Sequence, residues 1–105
     1  MIPSFPASSS APVRTAGLVP AGAGAGAALI EVALAAASGE DLAPVSLTLD
    51  YAAPLAAGEA VTLEAAIERT TRTLVFAHGR VLRADGALAV TGSAVFRRLA
   101  DSGKA

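Results

Sequence analysis

Cysteine and tryptophan are absent from this 105-residue chain, and it contains one histidine, His78. Without cysteine there can be no disulfides and no thiolate zinc sites, although this does not fix the compartment. One histidine cannot build a histidine-based metal site, so we expect no metal. Aromatic side chains are also few, with three phenylalanines and one tyrosine. A core so poor in large residues gains from burying further surface in an oligomer, which favours self-association.

An excess of either charge is also missing, because the formal net charge is −1 and both signs mix along the C-terminal half. No basic patch is present, so we expect no nucleic-acid partner. Residues 16–37 form a long apolar run, but it contains Pro20, the glycines at 22, 24 and 26, and Glu31, whose charge would be costly inside a bilayer. Only Arg14 precedes the run, whereas a secretion signal needs a basic start. We therefore expect a cytoplasmic protein with no membrane partner.

The length predicts one domain with a short extension at each end. Residues 1–12 are rich in serine, proline and alanine without any period, which predicts a flexible N-terminal arm. Residues 100–105 are predicted to form a C-terminal tail. The folded domain is therefore expected to span residues 13–99, with a short extended piece around 13–19.

A helix is predicted over residues 24–37. The segment from Ala27 onward has high helix propensity, and Ser38 and Gly39 provide a stop. The glycine-rich first turn leaves backbone N–H groups accessible. Because the helix is apolar almost all round, we expect it to be buried.

After Gly39 the apolar period changes to two, which is typical of half-buried strands. Asp85 and Gly86 between two such runs predict a hairpin, and Thr70 and Thr71 predict a tight connection. The predicted strands span residues 45–51, 61–68, 72–83 and 87–99. One buried helix lying across a four-strand antiparallel meander defines an α+β domain.

Glu31 is the only ionisable side chain within residues 16–38. A carboxylate in such apolar surroundings is costly to bury unless it has a partner or a chemical role. It is therefore the first candidate for a functional residue. The structural alternative is that Glu31 pairs with an arginine or faces a solvent-filled gap between subunits.

Two segments carry a resemblance to a known superfamily. Residues 45–54, followed by Gly58, are similar to a strand-Tyr-x-x-Pro segment, and residues 84–97 look like the last hairpin and closing strand of the same proteins. Over residues 21–99 the chain resembles the hotdog-fold acyl-CoA thioesterases, the superfamily of 4-hydroxybenzoyl-CoA and PaaI-like thioesterases. This resemblance implies an antiparallel sheet wrapped around one long central helix.

The resemblance also implies a site and a chemistry. Glu31 falls on the acidic position of the helix and would be the general base or the nucleophile in thioester hydrolysis. The backbone N–H groups of Ala23 and Gly24 would stabilise the oxyanion, although Gly22 stands where these families have a histidine. The substrate would be a small-molecule acyl thioester, bound by a homodimer or homotetramer.

Arg69 and Arg72 flank the predicted turn where family members often meet the phosphates of coenzyme A. Coenzyme A would enter only as part of the substrate, so no separate cofactor is expected. Exposed hairpin arginines are also common, and both could be merely solvated. Asp50 and Glu68 lie on polar strand faces and are expected to be solvated.

Other interpretations remain open. A non-catalytic hotdog module that binds an acyl ligand or a protein partner fits the missing histidine. A dehydratase or hydratase of the same fold would pair a histidine with a carboxylate, but His78 is on the wrong element and is expected to be exposed or at an interface. Tyr51 is expected in the core or in a subunit contact, or lining an acyl tunnel.

Overall fold

The computed structural model of the chain describes residues 12–39 and 41–99. Within them lie one helix and five strands. In chain order these are β1 (Val13–Leu18), α1 (Ala25–Ser38), β2 (Leu42–Tyr51), β3 (Ala60–Thr70), β4 (Leu74–Arg83) and β5 (Leu88–Arg98). Apart from Pro12, the predicted arm and tail lie outside the described residues.

Helix α1 begins and ends within one residue of the prediction. Gly24 is its N-cap and contributes no side-chain hydrogen bond to the first turn. At the other end Gly39 adopts φ 90°, and its N–H donates to the Ala35 carbonyl at 3.1 Å. A positive φ is readily available only to glycine, which explains why the helix stops there.

The strands form one antiparallel sheet in the order β1-β3-β4-β5-β2. The extended piece predicted at 13–19 is confirmed as edge strand β1, which pairs with β3. The predicted meander is correct for β3, β4 and β5 but wrong for β2, which pairs with β5 at the far edge. A tight turn after β2 would have kept it beside β3, but residues 52–59 form a longer connection. That connection is tied by hydrogen bonds to Ala89 near one edge and to Val19 near the other.

Helix α1 packs against one face of the sheet and forms the core with it. The residues at its centre are fully buried, with Ile30 at 0% and Leu34 at 1% exposure. Strand β5 has no room for a side chain where it faces Ile30, because a Cβ atom added at Gly92 would lie 2.6 Å from Ile30 Cγ2. This is a close approach of helix to strand that only glycine permits.

None of the described strands covers the opposite face of α1. Val32 is 60% exposed, and Ala28 and Ala35 are also exposed. The expectation of a helix buried all round is therefore wrong for one chain, since the sheet covers only one of its faces. Within residues 12–39 and 41–99, no helix has the length and apolar character that a bilayer crossing requires.

The sheet face turned away from the helix carries ion pairs. Glu64, in the middle of β3, is 7% exposed and contacts Arg14 of β1 and Arg80 of β4. Glu68, which was expected to be solvated, has 47% of its side chain exposed, and its Oε2 also lies 2.8 Å from Nδ1 of His78. Strand alternation does not predict this contact, because Glu68 lies beside a register shift in β3.

Candidate active site

Glu31 lies on the uncovered face of α1, between the buried Ile30 and the exposed Val32. Its side chain is exposed in the single chain. Among the residues that the structure describes, its carboxylate has no hydrogen-bond or ion-pair partner. The alternative in which an arginine neutralises Glu31 is therefore not what this chain adopts within those residues.

A cavity of about 160 Å³ opens beside Glu31, between the second half of α1 and the strands β2 and β5. Its lining is apolar except for the Glu31 carboxylate and the Ser46 hydroxyl. The lining residues are Glu31, Leu34, Pro44, Ser46, Leu47, Ala94 and Phe96. A cavity of roughly 150 Å³ holds a benzene-sized molecule, so this one accommodates a short apolar segment of a ligand with a carboxylate at its rim.

The segment before the helix supplies unused hydrogen-bond donors. The Ala25 N–H donates to the Gly22 carbonyl at 3.2 Å, and the Ala28 N–H to the Gly24 carbonyl at 2.9 Å. Within the described part of the chain, the N–H groups of Ala23 and Gly24 have no backbone acceptor. Because no side chain caps this end, these donors and the positive end of the helix dipole face outward, where an anion or an oxyanion would be stabilised.

Tyr51, at the end of β2, lies against this same end of the helix. A Cβ atom added at Gly26 would be 2.7 Å from Tyr51 Cε2 and 3.1 Å from its hydroxyl. Gly26 is therefore required for the ring to approach the first helical turn. Tyr51 is 58% exposed in this chain, so the expectation that it lies in the core is wrong, whereas a subunit contact or a place lining an acyl tunnel stays a prediction. In the sequence, the only sign of this contact is that the second residue of the helix is a glycine and that β2 ends in a tyrosine.

The two arginines that were predicted to bind phosphate lie towards the opposite end of helix α1 from Tyr51. Arg69, near the end of β3, holds its guanidinium 4.6 Å from the centroid of the Phe76 ring, and Arg72 is exposed in the turn that follows. Neither lines the cavity beside Glu31. The structure therefore brings Glu31 and the cavity together but leaves Arg69 and Arg72 outside the cavity lining.

Comparisons with known proteins agree with this architecture. The sequence model of the thioesterase superfamily matches residues 23–90, which include Glu31, Tyr51 and most of the sheet. A comparison with curated proteins by sequence found no significant match.

Solved structures of the hotdog fold superimpose on most of the chain. A mutant of the phenylacetic acid degradation protein PaaI from Thermus thermophilus has a TM-score of 0.72 and 25% identity, covering 84% of this chain and 85% of its own. The TT0310 protein from the same organism has a TM-score of 0.73 and 27% identity, covering 84% of each chain. The R-hydratase PhaJ1 from Pseudomonas aeruginosa, at 15% identity, shares the fold with a TM-score of 0.73 over 85% of this chain and 80% of its own.

Proposed function

The chain belongs to the thioesterase superfamily, and from that premise we propose that it hydrolyses acyl thioesters with Glu31 as the reacting carboxylate. The observation that carries the proposal is a carboxylate without a described partner at the rim of an apolar cavity. A short apolar segment of the thioester fills the cavity, and this places the carbonyl carbon near Glu31.

As a general base, Glu31 accepts a proton from a water molecule while the water oxygen attacks the thioester carbon. The carbonyl oxygen becomes an oxyanion, the C–S bond then breaks, and the departing thiolate takes up a proton. As a nucleophile, Glu31 instead attacks the carbon, releases the thiol and forms an anhydride that water opens. Both routes yield a carboxylic acid and a thiol, and both need donors for the oxyanion.

The N–H groups of Ala23 and Gly24 are the candidate donors, but they lie seven to eight residues before Glu31. At 1.5 Å per residue this is about 10 to 12 Å along the axis. One carbonyl group therefore cannot contact both the N-terminus of α1 and the carboxylate of the same helix. A second copy of the chain whose α1 N-terminus lies beside Glu31 would complete the site, which supports a homodimer or a larger homo-oligomer.

Strand β2 is the edge at which we place that second copy. Among the strands that the structure describes, it is hydrogen-bonded on one side only, to β5, and an unpaired edge is a template for another strand. Val45 on β2 is 57% exposed and Val32 on the uncovered helix face is 60% exposed. Joining two copies here covers apolar surface on the same side of the molecule as Glu31.

The edge assignment has a matched test by sedimentation. Val45→Asp should shift the protein towards a monomer, whereas Val13→Asp on the opposite edge strand should leave its mass unchanged. If the Val13 variant dissociates and the Val45 variant does not, then β2 is not the joining edge.

A non-catalytic acyl-binding module is the second candidate. It is favoured by Gly22, which replaces the histidine usual in these families, and by the exposure of Glu31 in the single chain. An assay of thiol release from a panel of short, long and aromatic acyl thioesters separates the two candidates. Turnover supports the hydrolase, whereas thermal stabilisation by the same ligands without turnover supports the binding module.

A further inference from the structure

The seven arginines of the chain fall into two groups. Three of them pair with glutamates: Arg14 and Arg80 with Glu64, and Arg83 with Glu59 at 2.7 Å. Throughout residues 12–39 and 41–99, no carboxylate pairs with any member of the second group. We call this group the arginine end, and it consists of Arg69, Arg72, Arg97 and Arg98.

Backbone hydrogen bonds and strand register place the arginine end where β3 and β5 end and β4 begins, at one end of the sheet. The Arg98 N–H donates to the Thr73 carbonyl at 2.8 Å, within the turn that contains Arg72. Arg97 lies opposite Leu74, and Arg69 lies opposite Phe76, two residues further along β4. By ordinary sheet spacings the Cα atoms of Arg69 and Arg97 are about 12 Å apart.

Two of these cations are held in position by groups that carry no negative charge. Arg69 lies over the Phe76 ring at 4.6 Å, and Arg98 Nε donates to the Thr71 carbonyl at 3.4 Å. Asp41 is close in the sheet, since its carbonyl accepts from the Leu99 N–H at 3.0 Å, but its carboxylate forms no ion pair within the described ranges. Four like charges that no carboxylate of residues 12–39 and 41–99 neutralises repel one another and attract an anion.

The arrangement suits an extended anionic surface better than a single phosphate group. Arg69 and Arg97 lie on the sheet face away from the helix, Arg98 falls on the helix face by strand alternation, and Arg72 extends the turn. The four therefore surround the end of the sheet instead of converging on one point. Leu99, 44% exposed, adds an apolar contact beside them. Arginine with a nearby apolar side chain is typical of protein interfaces.

We propose that the arginine end docks an acidic protein that carries the acyl group as a thioester on a flexible arm. Phe96 lines the cavity beside Glu31, and Arg97 and Arg98 follow it directly in β5. An arm from a protein docked at this end therefore enters past Phe96 and reaches Glu31. This inference rests on the proposed hydrolase function, because docking would deliver the thioester to Glu31. Docking itself can be measured without turnover.

The test measures binding of an acidic acyl carrier protein in its thiol form, which contains no thioester to hydrolyse. We expect binding that weakens as salt is raised. Arg72→Glu combined with Arg97→Glu should weaken it at least tenfold, and the milder Arg72→Gln/Arg97→Gln pair should weaken it less. The control is Ala84→Glu/Ala87→Glu, two exposed positions in the turn at the opposite end of the sheet. It lowers the net charge by two, as the Arg72→Gln/Arg97→Gln pair does, and it should stay within twofold of the unmodified chain.

Three results would overturn the proposal. The first is an arginine-end variant that binds the carrier protein as well as the unmodified chain does. The second is a loss in the Ala84/Ala87 control as large as that of the Arg72→Gln/Arg97→Gln pair, which would reduce the effect to net charge. The third is that the unmodified chain does not bind the carrier protein but binds coenzyme A, and that the arginine-end variants weaken this coenzyme A binding. Carrier binding without any thioester hydrolysis would instead support the docking surface and contradict the proposed hydrolase.

Discussion

Replacing Glu64 is the change whose effect on stability follows most directly from the contacts in the sheet. Its side chain is 8% exposed and is held by Arg14 and by Arg80, whose Nε lies 2.7 Å from Oε1. Burial, the largest single influence, raises the pKa of this carboxyl, but the hydrogen bonds and charges of Arg80 and Arg14 together outweigh it. The pKa of Glu64 is therefore lowered from its ordinary value of 4.5.

The expected loss follows from the two partners. A hydrogen bond to a charged group contributes roughly 1.5 to 3 kcal/mol, but both arginines are largely exposed, at 71% and 53%, so solvent screens part of each interaction. For Glu64→Gln we expect the free energy of unfolding to fall by about 2 kcal/mol. In a domain of this size that lowers Tm by roughly 10 °C.

The pH dependence has a defined sign. A carboxyl with a lowered folded-state pKa contributes stability that is present above its ordinary pKa and is lost as pH falls through the folded-state pKa. The difference between the original chain and Glu64→Gln should therefore be constant near neutral pH and should shrink below about pH 4.5. Urea unfolding at fixed protein concentration measures it, with Asp50→Asn, an exposed carboxylate on β2, as control. Equal stability of Glu64→Gln at pH 7, or a difference that persists unchanged at pH 3, would refute the reasoning.

Two glycine substitutions test the packing of helix on sheet. Gly92→Ala places a Cβ atom 2.6 Å from Ile30 Cγ2 in the core and should cost roughly 1 to 3 kcal/mol in urea unfolding, and an unchanged midpoint would contradict the close approach. Gly26→Ala should cost less, because the Tyr51 ring that it meets is 58% exposed and can turn away. Since Tyr51 is the only tyrosine and tryptophan is absent, its fluorescence reports that movement, and an unaltered spectrum would argue against the contact.

Much of the fold is readable from local patterns. The ends of α1 follow from a glycine-rich start and a positive-φ glycine stop, and the period of two after Gly39 locates the strands. The position of β2 is not readable, because the residues of a strand do not specify which neighbour it pairs with. The resemblance to the superfamily was more informative than periodicity here, since it implied the wrapped sheet that the meander prediction missed.

The sequence singles out Glu31 as a candidate but does not reveal what surrounds it. Glu31 stood out as a lone carboxylate, but the cavity beside it depends on side chains from β2 and β5 that are distant in sequence. The burial of Glu64 could not be read from the sequence, because alternation places it on the polar face of β3. Arg14 comes to lie beside it only because β1 pairs with β3. Arg98 was likewise unremarkable until strand pairing brought it to the turn that contains Arg72.

We propose that the Glu31 carboxylate performs the chemistry at the rim of the apolar cavity. The decisive experiment determines kcat/KM of Glu31→Gln for the thioester that the unmodified protein hydrolyses best. We expect a loss of roughly 10² to 10⁴-fold, with Tm unchanged and with Asp50→Asn as active as the unmodified protein. A folded Glu31→Gln variant that turns over the thioester at the original rate would contradict it.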